Sequence, residues 1–508
     1  MRLKNNRKLL FVTLSLFIFS TAGFAGLSQF SNADDLWGPR YSSQDQSLAL
    51  SRAQVQLGDS SKRGVRRWNE IAINASGLDH TPVAPGENRV FGEQIGPCRS
   101  SLAIALVHIA IFEAVNAIDG SCQSYTGIPR ATAGTSMEAA IAQAAHDTLI
   151  ELFPSQKPAF DSLLAEDLNR INDVGKSKGI LLGKQAAKSI MFLRSNDGRK
   201  HPEPLVNIDF ITSDQPGFWR QDPVSLIPVA LGAQWYHVKP LTLTSASQFR
   251  IPPPPALNSP EYAAAFNEAK QLGGDGVITP TSRTEGQTEI GIFWAYDGTP
   301  ALCAPPRLYN QIAVQIAEQK GSSTVELARL LALVNTAMAD AGIAIWESKY
   351  FYQFWRPITG IREADLGTGP TGLGDGNPDT AGDTNFSPLG APASNLTGPN
   401  FTPPFPAYPS GHAGFGGALF ETLRRFYGTD NIPFTFVSDE LNGVTTDNGG
   451  NIRPLKPRSF ATLSQAEEEN GQSRIYLGIH WSFDKTQGIA QGRKVAEHVF
   501  KRSFLRKR

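Results

Sequence analysis

Apolar residues recur at spacings of three and four along much of this chain. Between residues 101 and 118, Leu102, Ala105, Leu106, Ile109 and Phe112 make one continuous face, the period of an amphipathic helix. His108 and Glu113 ride the same segment. The pattern predicts further helices over 137–152, 157–171, 179–193 and 260–272, then over 308–319 and 324–354. Strand-like alternation is scarce, so the expected fold class is mainly α, as helical bundles in two packed halves with long irregular loops.

Two breaks divide the pattern. The tetraproline 252–255 cannot propagate a helix and predicts a stiff junction. It separates an N-terminal helical region, 34–255, from a C-terminal region, 256–508; a surface loop inside one domain is the alternative. Residues 367–404 are rich in Gly, Pro, Asn and Asp, and so long a loop in an enzyme often serves as a channel wall or lid.

Lys plus Arg and Asp plus Glu each number 47 in 508 residues. With zero formal charge, no overall field draws the chain to nucleic acid or an anionic membrane, and any anion site is local. Arg2, Lys4, Arg7 and Lys8 precede an apolar run over 9–25, which reads as an export signal within 1–33 and predicts a secreted or periplasmic protein. Small residues permit cleavage after Ala25 or Ala33; an uncleaved anchor is the alternative. Beyond this segment no uninterrupted apolar stretch of about 18 residues occurs, so no stable membrane span is expected after its removal. Cys98, Cys122 and Cys303 are too few for a disulfide framework or a Cys-x-x-Cys metal site. A Cys98–Cys122 pair stays open in an oxidising compartment.

The chemistry is concentrated in three C-terminal fragments. Lys349 and Arg356 are seven residues apart, which on a helix puts both cations on one face before Pro357 ends or bends it. Their neighbours Trp346, Tyr350, Phe351, Tyr352, Phe354 and Trp355 suggest burial, and buried cations need an anionic partner. A solvated basic face is the alternative. Pro409-Ser410-Gly411-His412 precedes a helical pattern over 413–427, so free amides, the Ser410 hydroxyl and a close-approaching Gly411 form an anion seat beside the proton-exchanging His412. A plain Ser410 N-cap is the alternative. In Ser473-Arg474…His480…Asp484, one helical turn brings Asp484 to His480, leaving the other imidazole nitrogen for a metal centre or nucleophile, while Arg474 adds a third cation. The remaining six histidines lack comparable partners in the sequence. Together the three fragments supply complementary groups for a tetrahedral oxyanion.

These residues resemble the superfamily shared by vanadium-dependent haloperoxidases, bacterial acid phosphatases and type 2 phosphatidic acid phosphatases: Lys-x6-Arg-Pro, Pro-Ser-Gly-His and Ser-Arg-x5-His-x3-Asp are all present. The contexts Trp346-Glu347-Ser348-Lys349, 405–412 and 476–481 look most like the fungal-type chloroperoxidase branch, as do Trp68-Asn69-Glu70 and the 108–118 segment. The resemblance implies one vanadate per chain, with His480 coordinating the metal and Lys349, Arg356, Ser410, the Gly411 amide and Arg474 binding its oxygens. It implies His412 as the acid–base residue, Lys349 as the group polarising peroxide, and Asp484 as the partner of His480. Trp346 and Phe405 match the aromatic positions lining the halide side. Asp297 corresponds less firmly to an acid paired with Arg474; a turn Asp before Gly298 is the alternative.

The implied reaction is oxidation of halide by hydrogen peroxide to hypohalous acid, with an organic acceptor as a further partner. An exported acid phosphatase would use the same residues through a phosphohistidine on His480. A non-catalytic oxyanion-binding protein is a third reading, one that would not require His412 beside His480.

Overall fold

The computed structural model describes residue 30, residues 33–43, residue 59 and residues 61–507. The expected export signal, with its basic start and apolar run, lies outside the described residues. The chain is mainly α-helical, with fourteen α-helices among the described residues. In order these are α1 (Ala33–Trp37), α2 (Gly64–Asp79), α3 (Gly96–Asp119), α4 (Met137–Leu152), α5 (Lys157–Arg170), α6 (Lys176–Leu193) and α7 (Pro260–Gly273). There follow α8 (Glu285–Phe293), α9 (Pro306–Gln319), α10 (Thr324–Tyr352), α11 (Pro357–Arg362), α12 (Gly411–Tyr427), α13 (Leu463–Tyr476) and α14 (Ser482–Arg502). Two antiparallel strand pairs complete it: β1 (Ser42–Ser43) on β2 (Leu396–Thr397), and β3 (Phe434–Phe436) on β4 (Arg458–Phe460).

Two long helices hold the molecule together. α10 opens with a capping box in which the Ser323 hydroxyl accepts from the Glu326 amide and the Glu326 carboxylate accepts from the Ser323 amide. From Leu327 to Tyr350 every residue of α10 is buried. It packs against α3 on the N-terminal side and against α12 and α14 on the C-terminal side. α3 in turn carries α4, and α4 carries α6. One apolar core therefore runs from Trp68 and Phe112 through Trp346 to Phe415 and Val495. A smaller core of Tyr262, Phe266, Trp355 and Trp481 lies beside α11. By length and composition α3 and α10 are apolar enough to cross a membrane, but 94% and 100% of their apolar windows are buried against other parts of the protein.

Where the sequence pattern and the structure differ, local chemistry explains it. α3 begins at Gly96, ahead of the periodic face, because Pro97 is pre-organised for the first helical turn. α13 carries no broad apolar stripe; its LSQAEEENGQSRIY run is polar on most sides, so periodicity does not reveal it. Lys349 and Arg356 do not share a helix. α10 ends at Tyr352 because Gln353 adopts a left-handed conformation with φ 49°, and Arg356 caps the next helix, which Pro357 starts. All three cysteines are free and buried. Cys98 and Cys122 stand at opposite ends of α3, whose 24 residues span roughly 36 Å at about 1.5 Å each, so no disulfide joins them.

Candidate active site

The three sequence fragments meet where α10, α11, α12, α13 and α14 converge. Lys349 occupies the last turn of α10, Arg356 caps α11, Ser410 caps α12, Arg474 is in the last turn of α13, and His480 and Asp484 flank the start of α14. All are buried, with His412 the most accessible at 7%. The left-handed Gln353 turns the chain sharply between the first two. Its amide donates to the Lys349 carbonyl at 2.8 Å, and its carbonyl accepts from the Trp219 amide at 2.6 Å. Arg356 is then held by the carbonyls of Phe405 at 2.9 Å and Ile479 at 2.8 Å. Lys349 Nζ donates to the carbonyls of Pro406 and Ala407 at 2.7 and 3.0 Å.

The start of α12 is placed from both sides. The Ser410 hydroxyl accepts from the Ala413 amide, and the Ser410 amide donates to the Asp484 carbonyl at 3.0 Å. Ser410 is thus an N-cap and a member of the site at once. A Cβ on Gly411 would sit 3.1 Å from Trp346 Cη2, so glycine lets the helix terminus approach the indole. Tyr309 and Asn470 both donate to the His412 carbonyl at 3.0 Å, fixing this turn from the α9 and α13 sides.

Hydrogen bonding assigns the two imidazoles. His480 Nδ1 lies 2.7 Å from Asp484 Oδ2, which also accepts from the Trp481 amide at 3.0 Å. Nδ1 therefore carries the proton. Nε2 is the lone pair, facing Arg356 Nη1 at 2.9 Å. His412 Nε2 donates to the Ala295 carbonyl, which leaves Nδ1 as its basic nitrogen, 3.9 Å from Asp297 Oδ1. Burial and the neighbouring cations, Arg356 for His480 and Arg474 for His412, hold both imidazoles well below their usual range, so both are neutral.

The cluster is short of negative charge. Burial first, then Arg356, pushes Lys349 well down. Burial lifts Asp484 to about 7 against the pull of the Trp481 amide and of Lys349 and Arg356, and it raises Asp297 despite Arg474. Three cations thus face two carboxylates that are both reluctant to ionise. Arg474 donates Nη2 to Asp297 Oδ1 at 2.6 Å, while its Nε and Nη1 are buried without a partner among the described residues. Orphaned buried donors are rare and costly. Two such donors side by side have the chemistry to meet the oxygens of an anion. Asp297, its side chain only 4% exposed and bonded to Arg474, is no plain turn residue. Among the described residues no group of three or more His, Cys, Asp or Glu is set to hold a metal ion. One imidazole plus cationic oxygen binders suits a metal that brings its own oxygens, as vanadate does, rather than a bare cation.

An apolar pocket opens onto this seat, lined by Trp346, Phe405, Phe415, Pro403 and Pro404 and reaching Arg474, His412 and His480. Trp346 and Phe405 lie 4.9 Å apart between ring centroids, and Lys349 Nζ is 5.0 Å from the Phe405 ring. The glycine- and proline-rich 367–404 stretch supplies part of the wall. Sequence reasoning missed other parts of the wall, among them Leu36, Trp37, Ile227 and Leu231, and the Ala295 carbonyl that sets the His412 tautomer; none carries a sequence signal.

The other histidines divide differently from expectation. His108 Nε2 donates to Asn69 at 2.9 Å, joining the two N-terminal segments that carry the family resemblance. His80 borders the pocket, but its nitrogens are committed to the Ser76 carbonyl and the Gly96 amide. His146 does have carboxylate partners, Asp147 at 2.8 Å and Asp161 at 3.0 Å, on the N-terminal bundle.

Comparison with known proteins identifies the family and the fold. A profile of the VCPO second helical-bundle domain matches residues 329–505. The chain is 32% identical to the vanadium chloroperoxidase of Curvularia inaequalis, across 82% of this chain and 78% of that protein. Its fold matches that of a bacterial vanadium-dependent iodoperoxidase with a TM-score of 0.67 at 24% identity, covering 87% of this chain and 97% of the other. It also matches a holo-type bacterial vanadium-dependent chloroperoxidase with a TM-score of 0.60 at 18% identity, over 82% and 94%.

Proposed function

The chain belongs to the vanadium-dependent haloperoxidase family, and from its site we propose that it oxidises halide with hydrogen peroxide to hypohalous acid, using one bound vanadate. The observation that carries the residue assignment is the pair of buried donors on Arg474 that have no partner among the described residues, beside two further buried cations and the His480 Nε2 lone pair. In this reading His480 Nε2 is the metal ligand. Lys349, Arg356, the Ser410 hydroxyl, the Gly411 amide and Arg474 hold the oxygens, with the α12 N-terminus adding its dipole. Bound vanadate supplies a Lewis-acid centre that activates peroxide without changing oxidation state. Asp484 holds His480 in the Nδ1–H tautomer, so that Nε2 keeps its lone pair. His412 Nδ1, on a neutral imidazole, accepts the proton of incoming peroxide, and the Ala295 carbonyl and Asp297 steady the resulting imidazolium. Lys349 adds positive charge against the reacting oxygens, while Trp346 and Phe405 border the halide and Asp297 orients Arg474.

Family membership favours halide oxidation over the phosphohistidine route. The same proposal includes export through the N-terminal segment, and division of the chain at 252–255, in support of which the matched domain profile falls wholly C-terminal to that point. Vanadate-loaded protein is expected to brominate a phenolic indicator with hydrogen peroxide, and vanadate-free protein to leave it unchanged. No bromination at full loading, together with rapid hydrolysis of a phosphate monoester, would replace the haloperoxidase with the phosphatase.

A further inference from the structure

α6 lies at the outer edge of the N-terminal bundle with one face unpartnered among the described residues. Its inner face is made of small residues set directly on α4: a Cβ on Gly179 would meet the Ser136 carbonyl at 2.4 Å, and one on Gly183 the Ala140 carbonyl at 2.7 Å. That contact permits a single rotation of the helix. Ala186, Ala187 and Ile190 turn inward with the glycines, and what remains must face out. At about 100° per residue, Leu181, Lys188 and Phe192 fall on one outward line, with Lys184 and Lys178 to either side. Leu181 is 68% and Phe192 77% exposed, and Val174 stands fully exposed just ahead of the helix. The helix contains four lysines, Lys176, Lys178, Lys184 and Lys188, and no acidic residue. Among the described residues, Lys176, Lys184 and Lys188 make no ion pair; Lys178 donates to the Ala133 carbonyl. The nearest acid along the chain, Asp173, precedes the helix.

A lysine-rich helix alone would be an ordinary solvated face. Bulky apolar side chains standing out between the lysines change that, because water gains nothing from them and they are too isolated to form a core. The arrangement is that of a helix lying in a lipid interface, with apolar residues dipped below the headgroups and lysines at the level of the phosphates. We propose that the outer face of α6 is a docking surface for an anionic lipid bilayer, with Leu181 and Phe192 entering the interface and Lys178, Lys184 and Lys188 meeting its phosphates. The zero net charge of the chain makes this a local device rather than a consequence of general basicity. A second copy of the chain fits the face poorly, since a two-fold pairing would set this lysine-bearing, acid-free face against the same face of its partner.

A reporter on the face tests it, because other segments can also touch membranes. Gln185 is exposed on the same side, and the native cysteines are all buried, so Gln185→Cys in the full chain accepts an environment-sensitive fluorophore there alone. With vesicles of phosphatidylglycerol and phosphatidylcholine its emission should shift to the blue, and the response should weaken as salt shortens the screening length. Phosphatidylcholine alone should give little shift. Adding Lys184→Glu and Lys188→Glu should weaken the apparent affinity by about 10-fold or more, with halide oxidation unchanged; Phe192→Ser should lower the shift at saturation. No blue shift with anionic vesicles at low salt, or an equal response in the glutamate variant, overturns the proposal. So does a shift with poly-glutamate and none with vesicles, which would make the partner an acidic protein, or a shift on raising protein concentration alone, which would make it a second copy.

Discussion

Replacing Arg474 by lysine separates charge from geometry at the oxyanion seat. The wild-type guanidinium spends one nitrogen on Asp297 at 2.6 Å and keeps Nε and Nη1 buried and unpaired. A lysine retains the positive charge, so the long-range attraction for an anion changes little, but its ammonium is drawn to Asp297 and the two forked donors disappear. Hydrogen bonds to a charged partner contribute about 1.5–3 kcal/mol each. Losing two therefore costs about 3–6 kcal/mol of vanadate binding, with the retained charge favouring the lower figure, or roughly a 100-fold weaker Kd at least. Stability of the vanadate-free protein should move the other way or not at all. The ion pair to Asp297 survives, and two buried unsatisfied donors, each costing about 1–3 kcal/mol, are gone. Equilibrium dialysis against vanadate and thermal denaturation of the vanadate-free protein read the two effects separately. A variant that binds vanadate within about threefold of wild type would refute the reasoning, because Nε and Nη1 would then have no role in holding the anion.

Four further substitutions probe the remaining assignments. His480→Ala should abolish vanadate binding, whereas His412→Ala should keep it and lose about 100-fold or more in turnover; dialysis and steady-state bromination distinguish them, and equal vanadate affinity in wild type and His480→Ala would remove the ligand assignment. Gly411→Ala places a Cβ 3.1 Å from Trp346. The overpacking costs about 1–3 kcal/mol, partly offset by the better helix propensity of alanine, so melting should shift by only a few degrees while bromide turnover falls. For His108, burial depresses the imidazole to about 3 from an unfolded value near 6.5. Between those values the unfolded chain binds the extra proton, so this contribution to stability is intact above pH ~6.5 and is lost as pH falls toward ~3. From pH 7 to pH 5 that one residue should cost about 2 kcal/mol. Denaturant titrations of wild type and His108→Gln should differ in slope across that interval, and identical slopes would show that the folded protein accommodates the charge.

The parts of this protein legible in its sequence are those in which one residue does one local job. α4 is predicted to its ends because Ser136 caps it and its apolar period is unbroken. The end of α10 is not, because Lys349, Arg356 and the aromatic run between them read as one continuous helix. No glycine marks the left-handed turn that Gln353 makes there, and the turn is held from outside by the Gly217 and Trp219 backbone. The site divides along the same line. Lys349, Arg356, Ser410, His412, Arg474, His480 and Asp484 are visible because each contributes a chemically distinctive side chain at a fixed spacing.

What orients them is carried mainly by backbone, and backbone atoms have no letter of their own. The segment from Trp294 to Ala304 illustrates this. It supplies the carbonyl that sets the His412 tautomer and the carboxylate that anchors Arg474. It does so by placing Tyr296, Ala301 and Cys303 in left-handed conformations, with φ of 50°, 66° and 59°. Non-glycine residues adopt such angles at a cost, and they persist where surrounding structure over-determines them. Here the surroundings are identifiable. The Tyr296 amide donates to the buried Glu440, and the Ala301 amide donates to the Thr81 hydroxyl from the N-terminal bundle. Ser76, on α2, contacts Cys303 at 2.9 Å. The N-terminal helices contribute no proposed ligand to the oxyanion, yet through Thr81 and Ser76 they hold the strained segment that aims His412 and Arg474. The catalytic bundle and the N-terminal bundle are therefore one machine at this point, and that dependence lies in contacts separated by more than 200 residues, where no local pattern in the chain can announce it.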